Sequence, residues 1–338
     1  MCRSPRRCAR SSDSRKRPIV EAWDGAVSAY GGLEVWRGGV NTWECDEMGH
    51  LNVRFYVARA MEGLVGLASA LGMRDAFREH ANATLMIKDH HIRFLREARD
   101  RAPLHMVAGV LEMYDAEARL LQLLIHSATG ELAATFQTVV AHTTARDGRP
   151  FPWSKPTFRL AEALRLEVPQ RAAPRSLDLR PSAGRASVAE AERLNLMRLG
   201  SGAVGVVDCD IFGRMRPEFF IGRVSDGVAG LGAALRARPG EPVDERPNGV
   251  GGAVLEYRIA YKSWPRAGDR FEVRSGLAAV GDRTQRLVHW MLDPDTGGSW
   301  ASSEAIAISL DLNARRIIPI SADDQARLTR RITPELAF

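Results

Sequence analysis

Residues 45–67 read CDEMGHLNVRFYVARAMEGLVGL, and residues 209–231 read CDIFGRMRPEFFIGRVSDGVAGL. A shift of 164 positions lays the first on the second, pairing Cys45 with Cys209, Asp46 with Asp210, Gly49 with Gly213, Phe55 with Phe219 and Arg59 with Arg223. Gly63, Gly66 and Leu67 meet Gly227, Gly230 and Leu231 in the same register. Further along, HIRFLREARDRAPLHM falls on RIAYKSWPRAGDRFEV at a shift of 167, and TGELAA on TGGSWA at the same shift. The change of shift asks only for a short insertion after the first stretch. The chain is therefore one unit written twice.

Each copy predicts the same elements. A strand over about residues 33–45 ends at Cys-Asp. Val53, Tyr56, Val57, Ala60, Met61, Leu64, Val65, Ala68 and Leu71 then recur at helical spacing, with a stripe wide enough for a largely buried helix. Four strand-like runs follow, ATLMIKDHHIRFL, PLHMVAGVLEMY, RLLQLLIHSA and ELAATFQTVVAH. The second copy answers with GAVLEYRIAYKSW, DRFEVRSGLAAVG, QRLVHWMLD and SWASSEAIAISL. Strand, helix and four strands imply an α+β fold, an antiparallel sheet wrapped around one helix, made twice. The expected division is a basic tail at 1–18, a first domain at 19–145 and a Pro- and Arg-rich linker or arm at 146–184. A second domain at 185–312 and a C-terminal extension at 313–338 complete it.

The net charge of +6 resides in the tail, where Arg3, Arg6, Arg7, Arg10, Arg15, Lys16 and Arg17 face only Asp13; the rest of the 338-residue chain sums to zero. No basic surface for nucleic acid is implied, and the tail reads as disordered. No apolar run reaches transmembrane length. Four cysteines without metal-ligand spacing fit a reducing, cytoplasmic setting, and no metal or bound cofactor is expected. Cys45 and Cys209 read as small buried strand residues.

CDEMGHLNVRFY resembles the Asp-x-x-Gly-His-x-Asn signature of hotdog-fold acyl thioesterases of the 4-hydroxybenzoyl-CoA thioesterase type. The resemblance spans roughly residues 30–145 and 185–312. It implies a tandem double hotdog, an arrangement shared by plant-type acyl-ACP thioesterases, with the acyl groove at the seam of an intramolecular pair. Association of such pairs into homo-oligomers is left open. The implied substrate is an acyl-CoA or acyl-ACP thioester, with coenzyme A entering only as part of it. Asp46 takes the catalytic carboxylate's place, and N–H groups at the helix start, Val53 above all, could receive the oxyanion. His50 would orient the carboxylate or share the proton, and Asn52 would cap the helix or hold water.

Plainer readings stand beside these. Asp46 is also an ordinary residue to find before a helix, and Gly49 serves a tight turn under either reading. In the second copy Arg214 replaces His50, Arg216 replaces Asn52, and Pro217, which lacks an N–H, replaces Val53. That copy is expected to complete the groove while Asp46 runs the reaction, Arg214 and Arg216 binding coenzyme A phosphates or pairing with carboxylates. Asp210, Glu62 and Asp226 are the fallback carboxylates, the last two also reading as local partners of Arg59 and Arg223. Two other functions are weighed, a non-catalytic acyl-binding double hotdog and a hotdog hydratase. The hydratase pattern Asp-x-Asn-Pro-x-His is not met, because Met48 and Gly49 occupy its Asn and Pro positions.

Overall fold

The computed structural model describes residues 30–181, 184–237 and 249–338. The expected basic tail, and the insertion expected after the second helix, lie outside the described residues. Copy one runs through β1 (Leu33–Gly39), α1 (Val53–Ala70), β2 (Ala83–Phe94), β3 (Pro103–Met113), β4 (Glu117–His126) and β5 (Leu132–Thr144). Two short helices, α2 (Lys155–Ala163) and α3 (Val188–Arg193), lead to copy two. It comprises β6 (Met197–Ala203), α4 (Pro217–Arg236), β7 (Val250–Tyr261), β8 (Arg270–Val280), β9 (Gln285–Leu292) and β10 (Ser299–Asp311). β11 (Arg316–Ile318) and α5 (Ala322–Thr329) close the chain.

All eight expected post-helix strands form, within three residues at each end. They do not make two separate sheets. One 11-stranded antiparallel sheet runs β1-β3-β4-β5-β2-β7-β10-β9-β8-β6, with β11 on β10. The copies are joined through β2 and β7, where His91 faces Arg258 and Arg93 faces Glu256. Edge pairing of this kind turns two sheet edges into an interior. No helix among the described residues is long and apolar enough to cross a membrane.

The strand expected over 33–45 stops at Gly39 and gives way to a 3-10 turn, Thr42–Glu44. Two consecutive glycines weaken the strand, and Glu44 Oε2 then accepts the Asn41 N–H at 3.0 Å to fix the turn. Asp208 does the same for Gly205 in copy two. Cys45 and Cys209 are thus half-buried turn residues rather than strand residues, their thiols donating to Asn41 O and Gly205 O. The 146–184 arm, which shows little periodicity, nevertheless contains α2, started by Pro156 and the Ser154 side chain accepting the Thr157 N–H.

α1 and α4 pack against each other and against the same sheet, α1 on β1, β3 and β4, and α4 on β6 and β8. Burial on two sides explains the wide apolar stripe. Close approach depends on small residues: a Cβ on Gly66 would lie 2.8 Å from Val35 O, and one on Gly227 2.6 Å from Leu199 O. The obstacle in both cases is strand backbone. Gly227→Ala is therefore expected to lower stability, because overpacking of about 1–3 kcal/mol outweighs a gain of at most about 1 kcal/mol in helix propensity. Thermal denaturation checks the sign.

The face of the sheet opposite the helices is covered by the arm. Arg258, buried on β7, donates to the Asp89 carboxylate at 2.8 and 3.0 Å and to the carbonyls of Asp178, Leu179 and Arg180. Beside it, His91 Nε2 lies 2.7 Å from Glu256, whose carboxylate also accepts the N–H groups of Arg175 and Ser176. Copy one, copy two and the arm meet in this one ionic cluster.

Candidate active site

The two Cys-Asp loops have one geometry. Asp46 Oδ1 accepts the N–H groups of Met48 at 2.9 Å and His50 at 3.1 Å, and the Asp46 N–H donates to His50 O. Asp210 Oδ1 accepts those of Phe212 at 2.8 Å and Arg214 at 3.0 Å, with the Asp210 N–H on Arg214 O. Gly49 and Gly213 both sit at φ +74, the left-handed region that glycine reaches without steric cost. Each loop is also tied to its helix. Arg59 pairs with Glu44 as well as with Glu62, and Arg223 with Asp208 at 2.9 Å as well as with Asp226 at 3.6 Å.

The side chains on these loops then diverge. The His50 ring points away from Asp46, its Nε2 lying 3.2 Å from Glu97 and 2.9 Å from Arg315. Arg315 comes from the turn between β10 and β11, so the His50 ring belongs to a clasp between the copies, and only the His50 backbone N–H bonds the Asp46 carboxylate. Asn52 takes the capping role, its Oδ1 accepting the Arg54 N–H at 3.0 Å while Nδ2 donates to Ser225 on α4. The Val53 N–H finds no acceptor among the described residues. In copy two, the Arg214 side chain turns back onto its aspartate, Nε donating to Asp210 Oδ2 at 3.3 Å, with the guanidinium over the Phe212 ring. Arg214 is only 8% exposed, and its two Nη groups have no acceptor among the described residues. Burial disfavours its charge, and Asp210 opposes that.

A cavity of about 280 Å³ opens at the seam. One wall is the copy-two loop and helix start: Asp210, Arg214, Arg216, Pro217 and Glu218. The other is apolar and comes mostly from copy one, with Met61 and Val65 of α1, Phe77, and Leu85 and Ile87 of β2; Trp264 of copy two adjoins. Glu62 stands on its edge, bound to Arg59 and to the Trp36 indole N–H. The structure thus brings together Asp210, Arg214, Arg216 and Glu62. Asp46, Gly49, His50, Asn52 and Val53 do not line this cavity. Near Asp46, Met48 packs on Gly251, and the Arg54 guanidinium lies 4.1 Å above the Phe219 ring, beside Gly222. Asp226 is largely exposed on α4.

Sequence reasoning passed over Glu218. It follows Pro217 at the start of α4, where an acidic residue is favoured by the helix dipole and attracts no notice. In the fold it is 5% exposed, and its Oε2 has no hydrogen-bond partner. His90 and His91 point to opposite faces of the sheet, to Tyr261 and Glu256. His142 stacks on Trp153. These histidines hold the fold.

Among curated proteins no sequence matches the chain. Solved structures do, at low identity. An oleoyl thioesterase of Lactobacillus plantarum, provisionally assigned as such, superposes with a TM-score of 0.61 at 11% identity, covering 84% of this chain and 99% of that one. An acyl-ACP thioesterase from Bacteroides thetaiotaomicron gives 0.57 at 13%, covering 80% and 96%. The 12:0-ACP thioesterase from Umbellularia californica gives 0.58 at 8%, covering 81% and 93%. These establish the fold, two tandem hotdog domains. The family model described as "Thioesterase-like superfamily" matches twice, over residues 40–164 and 204–328, one match on each copy. The chain therefore belongs to the thioesterase-like superfamily, a thioester-hydrolase family, and carries two copies of its domain.

Proposed function

We propose that this enzyme hydrolyses an acyl thioester, borne on coenzyme A or on an acyl carrier protein, in the seam cavity of copy two. The observation that carries this reading is the meeting of a carboxylate and a buried guanidinium with unused donors on one wall, opposite an apolar wall supplied by the other copy. Each half is incomplete without the other. The acyl chain lies along Met61, Val65, Leu85 and Ile87, with the carbonyl toward Asp210 and Arg214.

Asp210 takes a proton from water as the water oxygen bonds to the carbonyl carbon. Charge then develops on the carbonyl oxygen. Family members are expected to receive it on helix N–H groups, but Pro217 has removed the first of these. Arg214 supplies the replacement: its guanidinium is held by the Nε bond to Asp210 in a side chain that is mostly buried, and its Nη groups remain open to the oxyanion. Collapse breaks the C–S bond and frees the thiol. No bound cofactor enters this scheme. Structural neighbours named as an oleoyl, an acyl-ACP and a 12:0-ACP thioesterase favour a fatty acyl thioester; acyl-CoA and acyl carrier protein substrates present the same reacting group.

A second reading keeps the chemistry on Asp46, favoured by the Val53 N–H that has no acceptor among the described residues. The test of the first is thiol release from a panel of acyl-CoAs and acyl carrier protein thioesters of graded length. Arg214→Met is expected to lower kcat about a hundredfold with little change in KM, as loss of an oxyanion donor does. Release from no member of the panel would leave the acyl-binding, non-catalytic reading. A rise in KM at unchanged kcat would remove Arg214 from the transition state.

A further inference from the structure

Copy two differs from copy one at one more cavity position: Glu218 stands where copy one has Arg54. Glu218 lines the seam cavity and is almost wholly enclosed, yet Oε2 has no hydrogen-bond partner, and Oε1 takes Arg216 as its ion partner at 3.4 Å. A buried carboxylate oxygen left without a donor destabilises a fold, so a structural role accounts poorly for it. Apolar residues would fill the position at no such cost.

We propose that Glu218 is a catalytic residue of the seam cavity, the acid that gives its proton to the departing thiolate sulfur. The inference rests on the reading of that cavity as the hydrolytic site. Two carboxylates face one substrate in unlike surroundings, which is how acid and base are divided between like groups. Asp210 receives two backbone N–H groups and Arg214, an arrangement suited to an anion. Glu218 is buried beside the crossing of α1 and α4, and burial raises its pKa above the ordinary carboxylate range. Its own backbone N–H, Arg216 and Arg54 oppose that shift, while Glu62 on α1 adds to it. Tyr261 on β7, itself held neutral chiefly by burial, is a further titratable neighbour.

The protons balance over one turnover. Water loses one proton to Asp210 as its oxygen bonds to carbon. The C–S bond then breaks with its electron pair on sulfur, and Glu218 protonates that sulfur. The products are a carboxylic acid and a thiol. Asp210 finally returns its proton to Glu218 through cavity water, restoring both groups.

The test uses the full chain, an acyl-CoA that the wild type cleaves, and four variants: Glu218→Gln, Glu218→Asp, Asp210→Asn and Val65→Trp, the last filling the apolar wall. Glu218→Gln is expected to lose ten- to a hundredfold in kcat with KM within threefold. Its pH–rate profile loses the alkaline limb that the wild type shows as Glu218 deprotonates, a change that a structural role would not produce. Glu218→Asp restores part of the rate and the limb, which separates lost chemistry from misfolding. Wild-type kcat and profile in Glu218→Gln, with Val65→Trp and Asp210→Asn inactive, would overturn the assignment of Glu218 and leave the site standing. Activity that survives both Val65→Trp and Asp210→Asn, or a wild type that cleaves no thioester, would overturn the site and Glu218 with it.

Discussion

Arg258→Ala is expected to cost about 3–5 kcal/mol of folding stability, the penalty for stripping a buried ion pair of one partner. Arg258 is 4% exposed and saturates its guanidinium on Asp89 and on the carbonyls of Asp178, Leu179 and Arg180, with the Phe338 ring 4.6 Å away. Truncation leaves the part-buried Asp89 carboxylate uncompensated. Burial already holds the Asp89 pKa above its ordinary value, against the pull of Arg258. The loss falls on the β2–β7 seam and on the arm together, so the two copies are expected to unfold as one unit. Arg258→Met with Asp89→Leu should recover part of the loss and not all of it, because three carbonyls of the arm still lack their donor. Denaturant midpoints for the single and double variants measure both effects. A loss under about 1 kcal/mol, the range of a solvated pair, would show that water reaches the cluster.

Much of the fold was legible because it is local. Strand-like apolar runs marked the eight long strands, and helical spacing marked α1. The single continuous sheet was not legible, since β2 and β7 are 156 or more residues apart and nothing local states that their edges pair. The same limit governs the site. The two aspartates and the Arg-for-His exchange could be read by comparing the copies. Which loop faces a hollow could not, because that depends on Met48 and Arg54 packing near one loop while Met61 and Val65 line a gap beside the other. His50 offered the same lesson in reverse. Its partner Arg315 lies 265 residues away, so a motif histidine that seemed bound to its aspartate serves as a clasp.

The pair Asp210→Asn and Asp46→Asn carries the largest expected difference in activity. Asparagine is the right replacement, because its side-chain oxygen still accepts the two loop N–H groups that each Oδ1 accepts now. Both variants should keep their loops, and any loss then reports chemistry. Asp210→Asn is expected to lower kcat/KM by about a thousandfold, within the range of a lost general base, since an amide cannot take the proton from water. Asp46→Asn should stay within about threefold, because its loop lies outside the cavity and its histidine is engaged by Glu97 and Arg315. Single-turnover thiol release on one long-chain substrate, with melting temperatures as the control for folding, decides between them. The opposite pattern would return the reaction to copy one, where Val53 still offers its N–H, and would make the copy-two cavity a binding groove. Losses of only about half in each single variant, with a thousandfold loss in the double variant, would mean two working sites in one chain, and equal thousandfold losses would mean that both carboxylates serve one reaction.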